Sequence, residues 1–211
     1  MNLINRCSDG VELILHLSFV VDEPLISHFF VLFQQGVMVR SHVGQSLATY
    51  LQEEIGASPA TIEKIQSVIL DGKPVDDLNS TWIKDGSILA LSAAMPGLVG
   101  ATLRRGGAYS LFRSAITYCE TGQKCYSGEG FVRIKLFNLL MAELGPNLLR
   151  KGIILRSEEF LGFTAEQSKD FWEGCRRITL DGKQVDVRIF RNSVWLSGKD
   201  QIALSVSPRQ A

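Results

Sequence analysis

The sequence has little that would mark a catalytic, metal-binding or charge-driven protein. It has no excess of either charge, because 22 basic side chains balance 22 acidic ones among 211 residues, so no global field attracts nucleic acid or a membrane. Its four cysteines form no CxxC pair, and glycine-rich nucleotide fingerprints, a Gly-x-Ser-x-Gly elbow and a His-Glu-x-x-His motif are all missing. We therefore predict no catalytic residue, no cofactor and no metal site, and expect that the protein is not an enzyme.

Long hydrophobic runs are also missing. The most apolar stretch, residues 11–21, contains Glu12 and His16 and is too short to cross a bilayer. It also lacks the basic start and small-residue cleavage pattern of a secretory signal. We expect a cytoplasmic protein with no membrane partner, in which free thiols are the rule. The alternative is a regulatory disulfide between Cys119 and Cys125, which flank a turn-like Glu-Thr-Gly-Gln-Lys segment.

What the sequence does contain is an internal repeat. Residues 70–76, LDGKPVD, recur at residues 180–186 as LDGKQVD, with six of seven positions identical. An Asp-Gly pair between apolar flanks is typical of a type I′ hairpin turn, in which both central residues need a positive φ. Both copies are therefore predicted to be tight β-turns.

Two further matches accompany the hairpins in the same order. Upstream, LQEEIG and LMAELG end at Gly56 and Gly145, where a left-handed helix cap is expected. Downstream, residues 89–92 and 202–205 read as the strand that closes each unit. Three collinear matches indicate a duplication, whereas the alternative is two unrelated Asp-Gly hairpins.

Each unit is also expected to open with a β-hairpin before its helix. In the first half the predicted strands are residues 11–19, which alternate in polarity, and residues 29–39. In the second half they are residues 111–119 and 130–137. A helix is predicted over residues 44–51, behind a serine.

The repeat predicts an α+β protein of two tandem β-grasp (ubiquitin-like) units. We place the first domain at residues 1–95, a glycine- and arginine-containing linker at residues 96–108, and the second domain at residues 109–211. The second copy has a longer path between helix cap and hairpin, so a helical insertion is expected near residues 146–175. A capping-box pattern at residues 164–167 predicts a helix within it.

The first half resembles the sulfur-carrier branch of the β-grasp superfamily, which includes the thiamine sulfur carrier and the small subunit of molybdopterin synthase. The resemblance covers about residues 10–95 and is carried by ILDGKPVD at residues 69–76 and WIKDGSILAL at residues 82–91. Ser87 stands where the family usually has a second acid. The resemblance implies a small module that acts through other proteins.

Members of that family act through a mobile C-terminal Gly-Gly whose carboxylate is adenylated. This chain ends differently, but its Leu-Arg-Arg-Gly-Gly segment resembles such a tail, so processing after Gly107 would make Gly106 and Gly107 a conjugation tail. The plainer interpretation is an interdomain linker. A third is an anion- or partner-contacting loop that uses Arg104, Arg105 and the backbone at Gly97.

Charge differs between the two halves of the chain. Residues 1–107 hold 7 basic and 11 acidic side chains, whereas residues 108–211 hold 15 and 11, which favours docking of the halves or of two copies. Seven basic residues of the second half could form a patch for RNA or another polyanion. No aromatic platform is evident beside them, so nucleic acid is not the expected partner. They are Arg150, Lys151, Arg156, Arg176, Arg177, Arg188 and Arg191.

The histidines do not change this picture. His16 and His28 could face each other across strands, but two histidines without a third ligand make a poor zinc site. We expect a non-catalytic, ubiquitin-like interaction protein whose partner is another protein or a second copy of itself. The alternatives are a sulfur-carrier or modifier precursor processed after Gly107 and a binder of a small molecule or polyanion.

Overall fold

The computed structural model describes residues 14–109, 113, 117–118, 126–191 and 200–209. Within these ranges helices and strands are mixed around one large mixed sheet, as the predicted class requires at its coarse level. The strands are β1 (Leu15–Val21), β2 (Val37–Val43), β3 (Gln45–Ser46), β4 (Ser67–Leu70), β5 (Lys73–Pro74), β6 (Trp82–Ile83), β7 (Ile88–Ser92), β8 (Gly128–Phe137), β9 (Ile153–Arg156), β10 (Cys175–Leu180), β11 (Lys183–Val185) and β12 (Gln201–Pro208).

Most helices of the described chain are short. A 3-10 helix at Glu23–Phe30 runs into α1, and a π-helical turn at Tyr50–Glu54 continues α2. The α-helices are α1 (Val31–Gln35), α2 (Leu47–Thr49), α3 (Pro59–Lys64), α4 (Gly97–Leu103), α5 (Leu139–Lys151), α6 (Ser157–Ala165), α7 (Lys169–Glu173) and α8 (Val187–Phe190).

The strand order of the main sheet is the same when read inward from either edge. The order is β11-β10-β1-β12-β9-β2-β8-β7-β4-β5, and β3 pairs separately with β6. From each edge there are two antiparallel pairs, then a parallel pair, then an antiparallel pair. The two halves meet at a single antiparallel contact between Met38 and Ile154.

The repeated hairpins form the two edges of this sheet, and their predicted turn type is confirmed. Asp71 and Gly72 have φ of 51° and 80°, and Asp181 and Gly182 have φ of 47° and 79°. Two positive φ angles in succession define the type I′ turn, which suits the twist of a two-residue hairpin. Local chemistry alone therefore determines these two elements.

The strand beside each hairpin comes from a different part of the chain. The carboxylate of Asp71 accepts the backbone N–H of Ile88 in β7 at 2.7 Å, and that of Asp181 accepts the N–H of His16 in β1 at 3.0 Å. Strand β1 thus occupies, beside the second hairpin, the position that β7 occupies beside the first. Residues 202–205 do form a strand, as part of β12, but β1 lies between that strand and β10 of the second hairpin.

The predicted strand over residues 29–39 is wrong for most of its length. The chain is helical from Glu23 to Gln35, and the strand begins only at Val37. Pro24 lies in the first turn of a helix, where its missing N–H costs nothing, rather than in a hairpin turn. The buried side chains follow a helical spacing and fill one side of the sheet. They are Ile26, Phe29, Leu32 and Phe33.

A glycine ends a helix at one of the two positions where this was predicted. Gly56 has φ of 75° after the π-helical turn, as expected. Gly145 instead lies inside α5, which ends at Gly152 with φ of 104°. A Cβ at Gly145 would lie 3.0 Å from the ring of Phe30, so this glycine serves close packing of α5 rather than its termination.

The predicted insertion contains helices, but the residue that caps the start of α7 is Ser168, four positions after the predicted Thr164. The side-chain oxygen of Ser168, not that of Thr164, accepts the backbone N–H of Phe171, at 3.3 Å, and so begins α7.

Strand β8 confirms the strand that is predicted at residues 130–137. Most of the other predicted strand, residues 111–119, lies outside the described residues. The division at residues 96–108 stays a prediction, and α4 lies within it.

Helices cover one face of the sheet. Phe19 of β1 contacts the rings of Phe29, Phe160 and Phe190 at centroid distances of 5.4 to 6.1 Å, and the hydroxyl groups of Ser41 and Tyr50 lie 3.0 Å apart. These partners come from the 3-10 helix, α6, α8 and the π-helical turn. Alternate residues of the central strands, on the opposite face, are only half-buried or exposed.

Candidate binding surface

A shallow concavity crosses the sheet on the face opposite these helices. Its floor is formed by His16, Ser18, Thr179, Ala203 and Ser205, which lie side by side on β1, β10 and β12. We call this surface the trough; its volume is about 660 Å³. Because the floor residues other than His16 have small side chains, another backbone could approach the sheet closely there.

Longer side chains form the rim of the trough. Phe131 is 41% exposed and provides apolar surface at this rim. Arg40 pairs with Glu129 at 2.9 Å and Lys151 pairs with Glu54 at 2.5 Å. Both side chains of the Arg40–Glu129 pair are more than half exposed, and such a pair contributes little stability, so these charges remain available to orient a partner.

A second concavity of about 730 Å³ lies at the carboxyl ends of β1 and β12 on the same face. We call it the arginine recess. Four guanidinium groups from α5, β10 and the end of β12 converge on it, together with two small polar side chains. Its lining is Val20, Arg150, Arg176, Arg177, Gln184, Ser207, Pro208 and Arg209.

The predicted tail is bonded to the body of the protein. The backbone N–H of Arg105 donates to the carbonyl of Gln66 at 2.7 Å, and that of Gly106 donates to the carboxylate of Asp76 at 3.2 Å. Gly107 is half-buried and donates its N–H back to Arg104 at 3.1 Å. These residues follow α4 directly and form a docked turn.

The other residues predicted for this loop do not converge. The guanidinium of Arg105 donates to the carbonyl of Ile62 at 3.4 Å, whereas Arg104 is exposed. Gly97 is exposed at the start of α4 with φ of 70°. The described geometry therefore forms no shared anion pocket from these three residues.

Sequence reasoning missed Arg113, which holds this turn in place. Its side chain is 2% exposed, and its guanidinium donates to the carboxylate of Asp76 and to the carbonyl of Thr102, both at 2.7 Å. It also donates to the carbonyl of Arg104 at 3.3 Å. Its guanidinium also donates to the hydroxyl of Thr117, four positions away, at 3.0 Å. No local motif marks this arginine for burial, because its other partners are 9 to 37 positions away.

The structure divides the predicted basic patch. Arg150, Arg176 and Arg177 line the arginine recess, while Lys151 lies at the trough. The others are elsewhere: Arg156 pairs with Glu159, and Arg191 lies over the ring of Trp172 at 5.7 Å. Arg188 lies in α8 and does not line the recess. Arg209 completes the recess and was missed, because nothing local brings it beside β10.

The histidines and the cysteines stand apart. His28 lies 3.2 Å from the amide oxygen of Gln167 and does not face His16, so that expectation is wrong. Burial, followed by the charge of Asp22, raises the pKa of the buried Cys175 thiol to about 12. Cys119 and Cys125, as well as Cys7, lie outside the described residues.

Two negative findings concern the described part of the chain. No group of three or more metal-ligating side chains lies close enough there to hold a metal ion. None of the helices described is both long and apolar enough to cross a membrane.

Comparisons with family models, with curated proteins and with solved structures find no match to this chain.

Proposed function

We propose that this chain is a non-catalytic, cytoplasmic protein-interaction protein built from two β-grasp units, and that its trough receives a helix of a partner protein. The identical strand pattern read from both edges of the sheet supports the two units. In this proposal the units exchange strands, since β1 lies in the half of the sheet that the second hairpin borders.

The observation that carries the proposal is the contrast between the two faces of the central strands. On one face, Phe19 of β1 contacts the rings of Phe29, Phe160 and Phe190, which belong to helices of the same chain. On the other face, the floor of small side chains is open and lies between the longer rim residues Phe131 and Lys151. The apolar side chains of Ile14, Ile154 and Phe131 line the trough beside its mostly polar floor, and Arg40 and Lys151 add charge at the rim. A concave surface with exposed apolar groups and a charged rim is typical of a protein contact.

A single substitution on the floor of the trough tests this assignment. We expect Ala203→Arg to abolish recovery of the partner when the tagged full-length chain is purified from its own cells, because the long side chain would fill the trough. The matched control is Ala60→Arg, on the exposed surface of α3. Thermal melting of both variants checks that the fold persists.

Three results would decide against or refine the proposal. Equal recovery of the partner by Ala203→Arg and wild type would overturn the trough as the interface. A dimer in sedimentation that Ala203→Arg dissociates would identify the partner as a second copy. A fragment ending at Gly107, or one carrying sulfur in place of oxygen, in the intact mass would support a carrier precursor instead.

A further inference from the structure

We propose that the arginine recess binds the phosphoryl group of a phosphate-bearing ligand. This inference concerns a surface next to the trough and does not depend on the partner proposed there. It rests on four guanidinium groups that three different elements bring to one concavity.

The positive charge of the recess is largely uncompensated. Among the described residues, no carboxylate pairs with Arg150, Arg177 or Arg209. Arg150 donates only to the amide oxygen of Asn147, at 3.1 Å. Arg150 and Arg177 thus face the recess without an acidic partner in the part of the chain that the structure describes, while Arg209 interacts electrostatically with Asp22. Four guanidinium groups with this one carboxylate beside them form an arrangement that attracts a multivalent anion.

The fourth guanidinium is held by a carboxylate. Arg176 donates to both oxygens of Asp22, one of them at 2.8 Å. This bond, together with the charges of Arg176 and Arg209, holds the pKa of Asp22 below its usual range. Asp170 and Glu173 lie beyond Arg176 in a neighbouring cleft and do not line the recess. The Asp22–Arg176 pair therefore holds Arg176 at one wall of the recess, and Arg150, Arg177 and Arg209 line the rest of it.

The remaining lining fits a phosphoryl group and its attachment. Gln184 and Ser207 add neutral donors, and Val20 and Pro208 provide apolar surface. The guanidinium fork matches two phosphate oxygens at once, which is why arginine is favoured for such anions. A volume of about 730 Å³ exceeds the needs of one phosphate, so the recess also admits the group that carries it.

Isothermal titration of the full chain with pyrophosphate tests the proposal. We expect the double variant Arg177→Gln/Arg209→Gln to weaken binding at least about tenfold, because it removes two charge-assisted contacts. The matched control is Arg188→Gln, an exposed arginine of the same half that lies outside the recess, which should bind as wild type.

Two probes distinguish the source of the phosphoryl group. Tighter binding of a short phosphoserine peptide than of pyrophosphate would assign the recess to a phosphorylated protein, and the reverse order would assign it to a free phosphate compound. Either result supports the site, provided that the double variant weakens it. Retention of pyrophosphate binding by Ala203→Arg would separate the recess from the trough.

Four results would overturn the proposal. They are unchanged binding by the double variant, an equal loss in Arg188→Gln, equal affinity for sulfate, and an RNA oligonucleotide that binds far more tightly than either phosphate probe. The first two would show that the recess is not the site. Equal affinity for sulfate would mark adventitious ion binding, and tight RNA binding would mark a nucleic-acid surface.

Discussion

Arg113 shows how a single buried charge can fix a segment of chain. We expect Arg113→Ala to lower the free energy of unfolding by about 2 to 3 kcal/mol, because the substitution removes a buried ion pair and leaves two carbonyl groups without their donor. Urea denaturation measures this difference. Arg40→Ala, which breaks an ion pair with both side chains more than half exposed, should cost less than about 1 kcal/mol. Equal losses would refute the role of burial.

The Asp22–Arg176 pair predicts a pH dependence. The pKa of Asp22 lies below its ordinary 3.8, so the folded state favours the charged carboxylate. The stabilisation is therefore present above that ordinary pKa and is lost as the pH falls through the lowered value. We expect the difference in unfolding free energy between wild type and Asp22→Asn to be constant at neutral pH and to shrink below about pH 4. A difference that does not change with pH would contradict this.

At the residue scale, composition predicted part of the lining of the arginine recess. Arg150, Arg176 and Arg177 were recognisable as basic residues of one half, and the structure brings them together. Arg209 and Arg113 were not recognisable, because their roles depend on strands and turns that are distant in sequence. The number of charged residues can be read from the sequence, but which of them lie close together depends on how the strands pair in the sheet.

At the element scale, the two Asp-Gly hairpins offer a matched test. Gly72→Ala and Gly182→Ala should each cost about 1 kcal/mol, because both residues have φ near 80° and neither would place a Cβ within 4 Å of another atom. The two losses should add, since the hairpins lie at opposite edges of the sheet. Urea denaturation of the single and double variants measures them.

Gly162→Ala is the control for that comparison. Gly162 lies exposed within α6 and also has open space at its Cβ position, but without a positive φ. The same substitution should stabilise the protein by about 0.5 to 1 kcal/mol there. A loss of stability at all three positions would show that strain in the turns is not the cause.

Elements governed by local chemistry were predictable, and those governed by packing were not. The Asp-Gly turns and the serine cap of α2, where Ser46 accepts the N–H of Thr49 at 3.2 Å, follow from a few adjacent residues. Residues 29–35 are apolar enough for a strand, but they form helix because packing against the sheet selects a helical spacing. The glycine at position 145 is likewise explained by the close approach of the Phe30 ring and not by helix capping.

At the scale of the whole molecule, β1 links the two halves of the sequence. It lies in residues 1–95, yet its neighbours β10 and β12 both lie in residues 109–211. We expect residues 109–211 expressed alone to lack a cooperative urea transition, because β10 and β12 would lose the strand between them. Co-expression with residues 1–108 should restore it.

Cleavage provides the complementary measurement. A protease site inserted between Gly107 and Ala108 should yield two fragments that still migrate together in gel filtration, because β1 and β2 remain paired with strands of the other fragment. Separation of the fragments, or a sharp unfolding transition of residues 109–211 alone, would instead show two independent domains.

The position of β1 also affects folding during synthesis, because the strands that pair with it are made much later. About 150 residues separate the end of β1 from the start of β10, and β12 is the last described element of the chain. At a translation rate of about 5 to 20 residues per second, β10, the first strand that can pair with β1, is synthesised roughly 10 to 30 s after β1. During that interval the ribosome presents a strand whose alternate residues, Leu15, Leu17, Phe19 and Val21, have no sheet to enter. Chaperone occupancy of the nascent chain should therefore begin with β1 and end only once β10 and β12 have emerged from the ribosome.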